Sequence, residues 1–197
     1  VYCSTAAVYG DARYAPVDES HPRNPTSPYG RSQWMVEQIL ADYERAHGLR
    51  SVSLRCFNAA GAHPLGGLGE RHEPESHLIP LALRAASGRA RSVTIYGTDY
   101  DTPDGTCIRD YVHVADVCHA HLLALEHLVE GGNTRAYNLG SGRGHSVRQV
   151  IASVCRVTGV AIAVTEAGRR EGDAEQLVAD TTLARRELGW QPQYSDL

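Results

Sequence analysis

Lysine is absent from this chain of 197 residues: all 19 basic side chains are arginine, so no ammonium side chain is available to any site. Against 23 acidic residues they leave a formal charge of -4 at pH 7. No long basic run offsets that balance, which removes the electrostatic case for nucleic acid as a partner. No apolar run approaches the roughly 20 residues of a membrane span, and the first residues lack the charged and apolar regions of a signal peptide. A cytoplasmic protein with no membrane partner is expected. Cys3, Cys56, Cys107, Cys118 and Cys155 are odd in number and contain no C-x-x-C pair, so neither a disulfide framework nor a zinc site is indicated. They read as small buried hydrophobes. Repeats, low-complexity segments and long linkers are missing as well. What remains, 42% hydrophobic and 21% charged residues, is the balance of a soluble globular chain with enough length for one domain or two small ones.

The chain alternates strand and helix signals. VYCS at the start reads as the end of a buried strand, and a loop with Pro16, Pro22, Pro25 and Pro28 follows it. A helix is predicted from about Tyr29 to His47, stopping near Gly48. Its apolar residues Met35, Val36, Ile39, Leu40 and Tyr43 recur at helical spacing and predict one buried face. SVSLRCF, residues 51–57, reads as the next strand, and this succession is what a parallel α/β sheet produces. Beyond the glycine-rich GAHPLGGLGE the pattern predicts helix 78–87, strand SVTIYG, loop 98–110, helix 114–130, strand AYNLG, helix 146–158 and strand AIAV. That second part reads as a small mixed lobe.

Two patterns mislead. AYNLGSGRGHSVRQVI has the order strand, glycines, helix, but the dinucleotide fingerprint G-x-G-x-x-G begun at Gly140 needs a glycine where His145 stands. Ser146 with Gln149 instead predicts a capping box. His113, His119, His121 and His127 crowd one region, yet only His119 and His127 fall close to one helical face, so hydrogen-bonded or solvated histidines are expected rather than a metal site.

Chemistry gathers at three places. Thr5 lies just past a strand end, where open α/β sheets bind ligands. Tyr29 opens the next helix with Gln33 one turn on, on the same face. The third piece is a set of motifs: STAAVYGD, SPYGRSQWMVEQIL, RCFNAAGAHP, DGTCIRDYVHVAD and RREGD. Together they resemble the UDP-glucose 4-epimerases of the extended short-chain dehydrogenase/reductase family, over nearly the whole chain and in family order. The resemblance implies the C-terminal part of a Rossmann-like parallel sheet in residues 1–69, then a small mixed α/β lobe, 70–197, that mainly binds UDP-sugar. It implies NAD as cofactor, a homodimer at full length, and that the family's glycine-rich NAD turn lies outside this chain.

Carried over by motif, Thr5 bonds the sugar 4-hydroxyl and Tyr29 is the catalytic tyrosine. Gln33 stands where the family has a lysine whose charge favours the phenolate and whose ammonium holds the nicotinamide ribose. Gln33 can bond a ribose hydroxyl but supplies no charge. A free tyrosine, with a pKa of about 10, is ionised at pH 7 only about once in a thousand. Tyr29 and Gln33, with Cys3 and Cys56, are the cofactor-side residues. Asn58 matches the asparagine beside the substrate phosphates, while Arg109 and Arg170 match the pair holding the UDP pyrophosphate, for which guanidinium forks are suited. Asp173 matches the carboxylate on the uridine ribose, Thr94 and Tyr96 line the uracil strand, and His77 replaces an asparagine near the sugar phosphate. Leu177 falls where some members close the pocket beside the sugar 2-position with tyrosine. A 4,6-dehydratase would need an Asp-Glu pair where Ala6 and Ala7 stand. The alternative from another class is a nucleotide-sugar binding protein silenced by Gln33.

Overall fold

In the computed structural model, residues 1–196 are described. The chain runs β1 (Tyr2–Thr5), a 3₁₀ turn (Ala6–Val8), α1 (Pro28–His47), β2 (Val52–Cys56), β3 (Asn58–Ala60) and α2 (Leu78–Ala86). It continues through β4 (Val93–Tyr96), β5 (Ile108–His113), α3 (Val114–Val129), β6 (Arg135–Leu139), β7 (Gly144–Ser146) and α4 (Val147–Thr158). It ends with β8 (Val164–Ala167), β9 (Gln176–Leu177) and α5 (Thr182–Leu188). The class is α/β, as expected.

β1, β2 and β6 form a parallel sheet in that order, with Cys3 opposite Leu54 and Arg55 opposite Asn138. Every residue of β2 is buried, the signature of a parallel strand covered on both faces. Side-chain alternation assigns the faces. Val52, Leu54 and Cys56 pack with Val117, Ala120 and Ala124 of α3 and with Leu188 and Trp190 at the end of α5. Ser53 and Arg55 point the other way, toward α1. There Arg55 meets Glu37 in a two-pronged ion pair, Nη2 to Oε2 at 2.6 Å and Nε to Oε1 at 3.1 Å. The division of the sequence at 69/70 is crossed by this sheet, since β6 returns from the second part to pair with β2.

The second part is organised around β5, which pairs in parallel with β3 and β9 and antiparallel with β7. β4 and β8 form a separate parallel pair, with Val93 and Ile95 packed against Ala82 of α2 and against Ile151 and Val154 of α4. Helix ends follow the sequence. Gly48 closes α1 in the left-handed conformation at φ 68°, and Ser146 with Gln149 forms the full capping box on α4. Among the described residues no helix is long and apolar enough to cross a membrane.

Several expectations are corrected. Met35, Ile39 and Tyr43 of α1 are exposed at 58%, 50% and 51%. The face turned to the sheet carries Gly30, Trp34 and Glu37, because the Arg55 charge must be matched there. Cys3 and Cys118 are exposed rather than buried, Cys3 on β1, an outer strand of the three-stranded sheet among the described residues. Residues 108–110, expected as loop, begin β5, whose backbone groups are met from both sides. The strand expected at 161–164 lies at 164–167, where β4 fixes the register with Thr94 opposite Thr165. The histidines of the α3 region match their expectation: His113 Nδ1 accepts from Ala115 N–H, His121 and His127 bond the carbonyls of Val117 and Asn133, and His119 is exposed.

Because the Arg55–Glu37 pair is dry, removing one partner leaves a buried charge alone. Glu37→Ala is expected to lower unfolding free energy by about 3–5 kcal/mol, and the double change Glu37→Met, Arg55→Met by much less, measured by urea denaturation.

Candidate active site

Two groups of side chains converge on the C-terminal end of the parallel sheet, the first from β1 and α1. Thr5 ends β1, and its hydroxyl accepts from the Ala7 N–H at 3.2 Å to start the 3₁₀ turn. Ser27 caps α1 by accepting from Gly30 N–H at 3.0 Å, with Pro28 in the first turn, where its missing donor costs nothing. α1 then lies directly on the turn begun by Thr5: a Cβ at Gly30 would sit 2.4 Å from the Ala7 carbonyl oxygen. Only glycine permits that approach.

Tyr29, Gln33 and Glu37 share one face of α1 at successive turns. Glu37 is the anchor. Beyond Arg55 it accepts from the Ser4 hydroxyl at 2.5 Å. Gln33 accepts the Tyr2 hydroxyl on its amide oxygen at 2.8 Å, leaving its N–H groups without a protein partner among the described residues. Tyr29 is 58% exposed, and no hydrogen bond to its hydroxyl occurs among the described residues. Arg55 also donates to the Tyr9 hydroxyl at 2.9 Å, and Tyr9 donates to Asn138 Oδ1 at 2.6 Å. Burial pushes the Tyr9 phenol up to about 12, so it stays a neutral link. For Arg55, burial alone would weaken the cation, but Glu37 and Tyr9 outweigh it and hold the guanidinium above its usual range.

The second group lines a cleft of about 1290 Å³ that contains Asn58, His77, Thr94, Tyr96, Arg109, Arg170 and Asp173. Arg109 reaches Asp173 at 3.4 Å, and the Arg170 guanidinium lies 3.6 Å from the centre of the Tyr96 ring. Thr94 pairs its hydroxyl with Thr165 at 3.0 Å. The Arg109 strand is fixed from behind by its neighbour. The buried Asp110 carboxylate accepts from Ser141 N–H and hydroxyl at 2.7 Å each, and from Gly142 and Ala179 N–H at 3.0 Å each. Burial raises its pKa while these donors pull it back. The glycines after β6 thus form an anion-binding nest, and the anion is internal: a Cβ at Gly140 would lie 2.3 Å from Asp110 Oδ2.

Thr5, Tyr29 and Gln33 lie outside the lining of this cleft. Leu177 also stands off it, on β9 opposite Arg109, packed with Ala6, Tyr9 and Phe57 between the two groups. Sequence reasoning missed Glu37, Arg55 and Tyr9, although a glutamate two turns after Tyr29 and a lone arginine in an apolar strand are the signal of a buried pair. It also missed Tyr111, a cleft residue whose phenol burial pushes up to about 12. Cys3 and Cys56 meet across β1 and β2 with sulfurs 3.9 Å apart. The hydrogen bond from Cys56, helped by His121 and opposed by burial, lowers the Cys3 thiol to about 6, and the same bond with burial raises Cys56.

Residues 1–140 match the NAD dependent epimerase/dehydratase family. The chain is 51% identical over 194 residues to a UDP-glucose 4-epimerase of Rhizobium meliloti (strain 1021), covering 98% of this chain and 59% of the relative. Among solved structures it is similar to the UDP-glucose 4-epimerase from Brucella ovis in complex with NAD, with TM-score 0.94, 51% identity, and coverage of 98% of this chain and 60% of that one. It is also similar to the UDP-glucose-4-epimerase from Stenotrophomonas maltophila with bound NAD and formylated UDP-arabinopyranose, with TM-score 0.93, 41% identity, and coverage of 98% and 58%. The chain therefore spans about 59% of the length of the curated relatives it matches.

The lowered Cys3 thiol predicts selective alkylation. Thiolate is the nucleophile, so reactivity should be lost as pH falls below about 6 and level off above it. At pH 7, mapping of iodoacetamide adducts by mass spectrometry should find Cys3 modified before the exposed Cys118, and Cys56→Ala should slow Cys3 by removing the stabilising bond.

Proposed function

The chain belongs to the NAD dependent epimerase/dehydratase family, and from that premise we propose that a full-length protein carrying this segment is a cytoplasmic enzyme that interconverts UDP-glucose and UDP-galactose. It does so by inverting C4 through a 4-keto sugar. One observation carries the reading: seven of the eight residues that the resemblance assigns to UDP-sugar binding, all but Leu177, line one cleft. Arg109 and Arg170 hold the diphosphate with paired guanidinium contacts. Asp173 receives the uridine ribose and is held ready by Arg109. Thr94 and Tyr96 flank the base, and Asn58 and His77 border the phosphates. Residues 70–197 in this reading mainly serve the nucleotide sugar, and 1–69 the cofactor end.

The unpartnered Tyr29 hydroxyl and the free Gln33 amide N–H groups, near Cys3 and Cys56 on β1 and β2, fit the nicotinamide end of NAD. At that end the cofactor, when bound, would supply reversible hydride exchange with C4 of the sugar. Tyr29 takes the 4-hydroxyl proton as general base and gives it back after the sugar turns over. Thr5 bonds the same hydroxyl and orients it. Gln33 donates to a ribose hydroxyl while Tyr2 fixes its amide oxygen. Gln33 brings no charge to Tyr29. The reading includes a homodimer at full length, for which the exposed Met35, Ile39 and Tyr43 of α1 offer an apolar face. A silent binding protein gains no support from relatives that are named as epimerases.

In the full-length protein, Tyr29→Phe is expected to lower kcat for UDP-galactose by about 10²–10⁴-fold with little change in KM, as removal of a general base does. Gln33→Lys is expected to raise kcat, since each unit by which an ammonium lowers a phenol's pKa raises the ionised fraction about tenfold. Equal kcat for the parent protein and the Gln33→Lys variant would show that the phenolate is supported by other means. Leu177 is smaller than the tyrosine that the resemblance places beside the sugar 2-position in some family members, so in this reading UDP-N-acetylglucosamine should be a slower second substrate, although Leu177 stands off the cleft lining. Leu177→Tyr should lower its kcat/KM relative to UDP-glucose by about 10–200-fold, the range one side-chain change can give.

A further inference from the structure

The segment Gly69–His77, G-E-R-H-E-P-E-S-H, enters α2 with five side chains that carry metal-donor atoms; Glu73 pairs with Arg84, leaving Glu70, His72, Glu75 and His77. His77 Nδ1 lies 2.9 Å from Glu70 Oε1 and 2.9 Å from Glu75 Oε1, and His72 Nδ1 lies 3.9 Å from the same Glu75 oxygen. The donor atoms of His72, Glu75 and His77 all fall within 4.8 Å of one another. A ring nitrogen carries one proton at most. His77 Nδ1 can therefore satisfy one of the two carboxylates at hydrogen-bond distance, and the other faces it with no donor on that line. A divalent cation in place of that proton satisfies both.

The cluster is built as a socket. Glu75 forms the floor, its side chain only 2% exposed, while the His72 and His77 side chains stand 50% and 55% exposed around it. Backbone N–H groups of Ser76 and His77 each donate to Glu75 Oε1 at 2.8 Å. Those bonds hold the carboxylate in place. They also orient the ligand from behind, as outer partners do in metal sites. The open side gives an entry path. With bonds of about 2.0–2.2 Å, a tetrahedral zinc ion separates its donors by roughly 3.4 Å, between the 2.9 and 3.9 Å found here. Two imidazoles with carboxylates select the zinc, cobalt, nickel and copper class over magnesium or calcium, which take oxygen alone.

We propose that His72, Glu75 and His77, with Glu70 beside His77, form a binding site for one divalent transition-metal ion of the zinc class. Glu70, Glu75 and His77 also line the wall of the cleft that contains Arg109 and Arg170, so a bound cation would add positive charge to that wall. The site itself does not depend on what fills the cleft.

The test uses the untagged chain, stripped with a chelator and titrated with zinc chloride by calorimetry and with cobalt chloride by visible absorption. One equivalent is expected to bind in the micromolar range, with a tetrahedral cobalt band that excess magnesium does not remove. His77→Ala and Glu75→Gln should each weaken binding at least tenfold. His119→Ala, an exposed histidine on α3 outside the cluster, should leave it unchanged. All three variants lie at the surface or in a loop, and circular dichroism checks that each is folded. Absence of saturable binding, affinity unmoved by His77→Ala and Glu75→Gln, or loss of binding in His119→Ala would overturn the site.

Discussion

The buried ion pair between Arg55 and Glu37 is the contact from which the active end of the molecule takes its geometry. Only 4% and 6% of the two side chains are exposed, so both charges have left water and must satisfy each other. Their fork fixes α1 in rotation and in height over β1 and β2. Tyr29 and Gln33 stand two turns and one turn above Glu37 on the same face, so the pair that holds the helix also aims the residues proposed to do chemistry. Ser4 and Tyr9 extend the contact along β1 and into the turn after it, and Asn138 carries it to β6. Every polar atom in the group is matched, which is the condition for such a network to rigidify rather than weaken a core.

A second buried charge does the same for the nucleotide cleft. Asp110 gathers the loop after β6 and the segment after β9 around its carboxylate. Arg109, the next residue back, is thereby held at the cleft with Asp173 facing it. The Val17–Ala179 bridge ties this second centre to the loop that leads from β1 toward α1. Leu177, two residues before Ala179, packs against Ala6 and Tyr9 and so fills the space between the two centres.

The parts of this arrangement that follow local rules were legible in the chain. α4 shows its capping box in Ser146 and Gln149, α1 its glycine stop at Gly48, and β2 its apolar alternation. Strands of two or three residues, such as β3, β7 and β9, leave too little pattern to read, and β5 was hidden because Arg109 and Asp110 look like loop residues until the distant nest around Asp110 is known. The buried face of α1 was misread for the same kind of reason: Met35, Ile39 and Tyr43 have the right period, but Glu37, paired across 18 residues with Arg55, decides which side turns inward. The cleft residues were reached through family motifs and not through spacing. Nothing local in the sequence could bring Asn58, Thr94 and Arg170 to one wall.

The hydrogen bond from Tyr9 to Asn138 joins positions 129 residues apart. At synthesis rates of about 5–20 residues per second, that separation is on the order of ten seconds of translation. For the last 83 residues of that interval Arg55 and Glu37 are both made, while β6, the strand that pairs with β2 along its other edge, is not complete. Before β6 arrives the Tyr9 hydroxyl, which accepts from Arg55, has no Asn138 to donate to. The hydrogen bond that carries the Arg55–Glu37 network to β6 therefore cannot close until residue 138 has been made, long after the ion pair itself has both its partners.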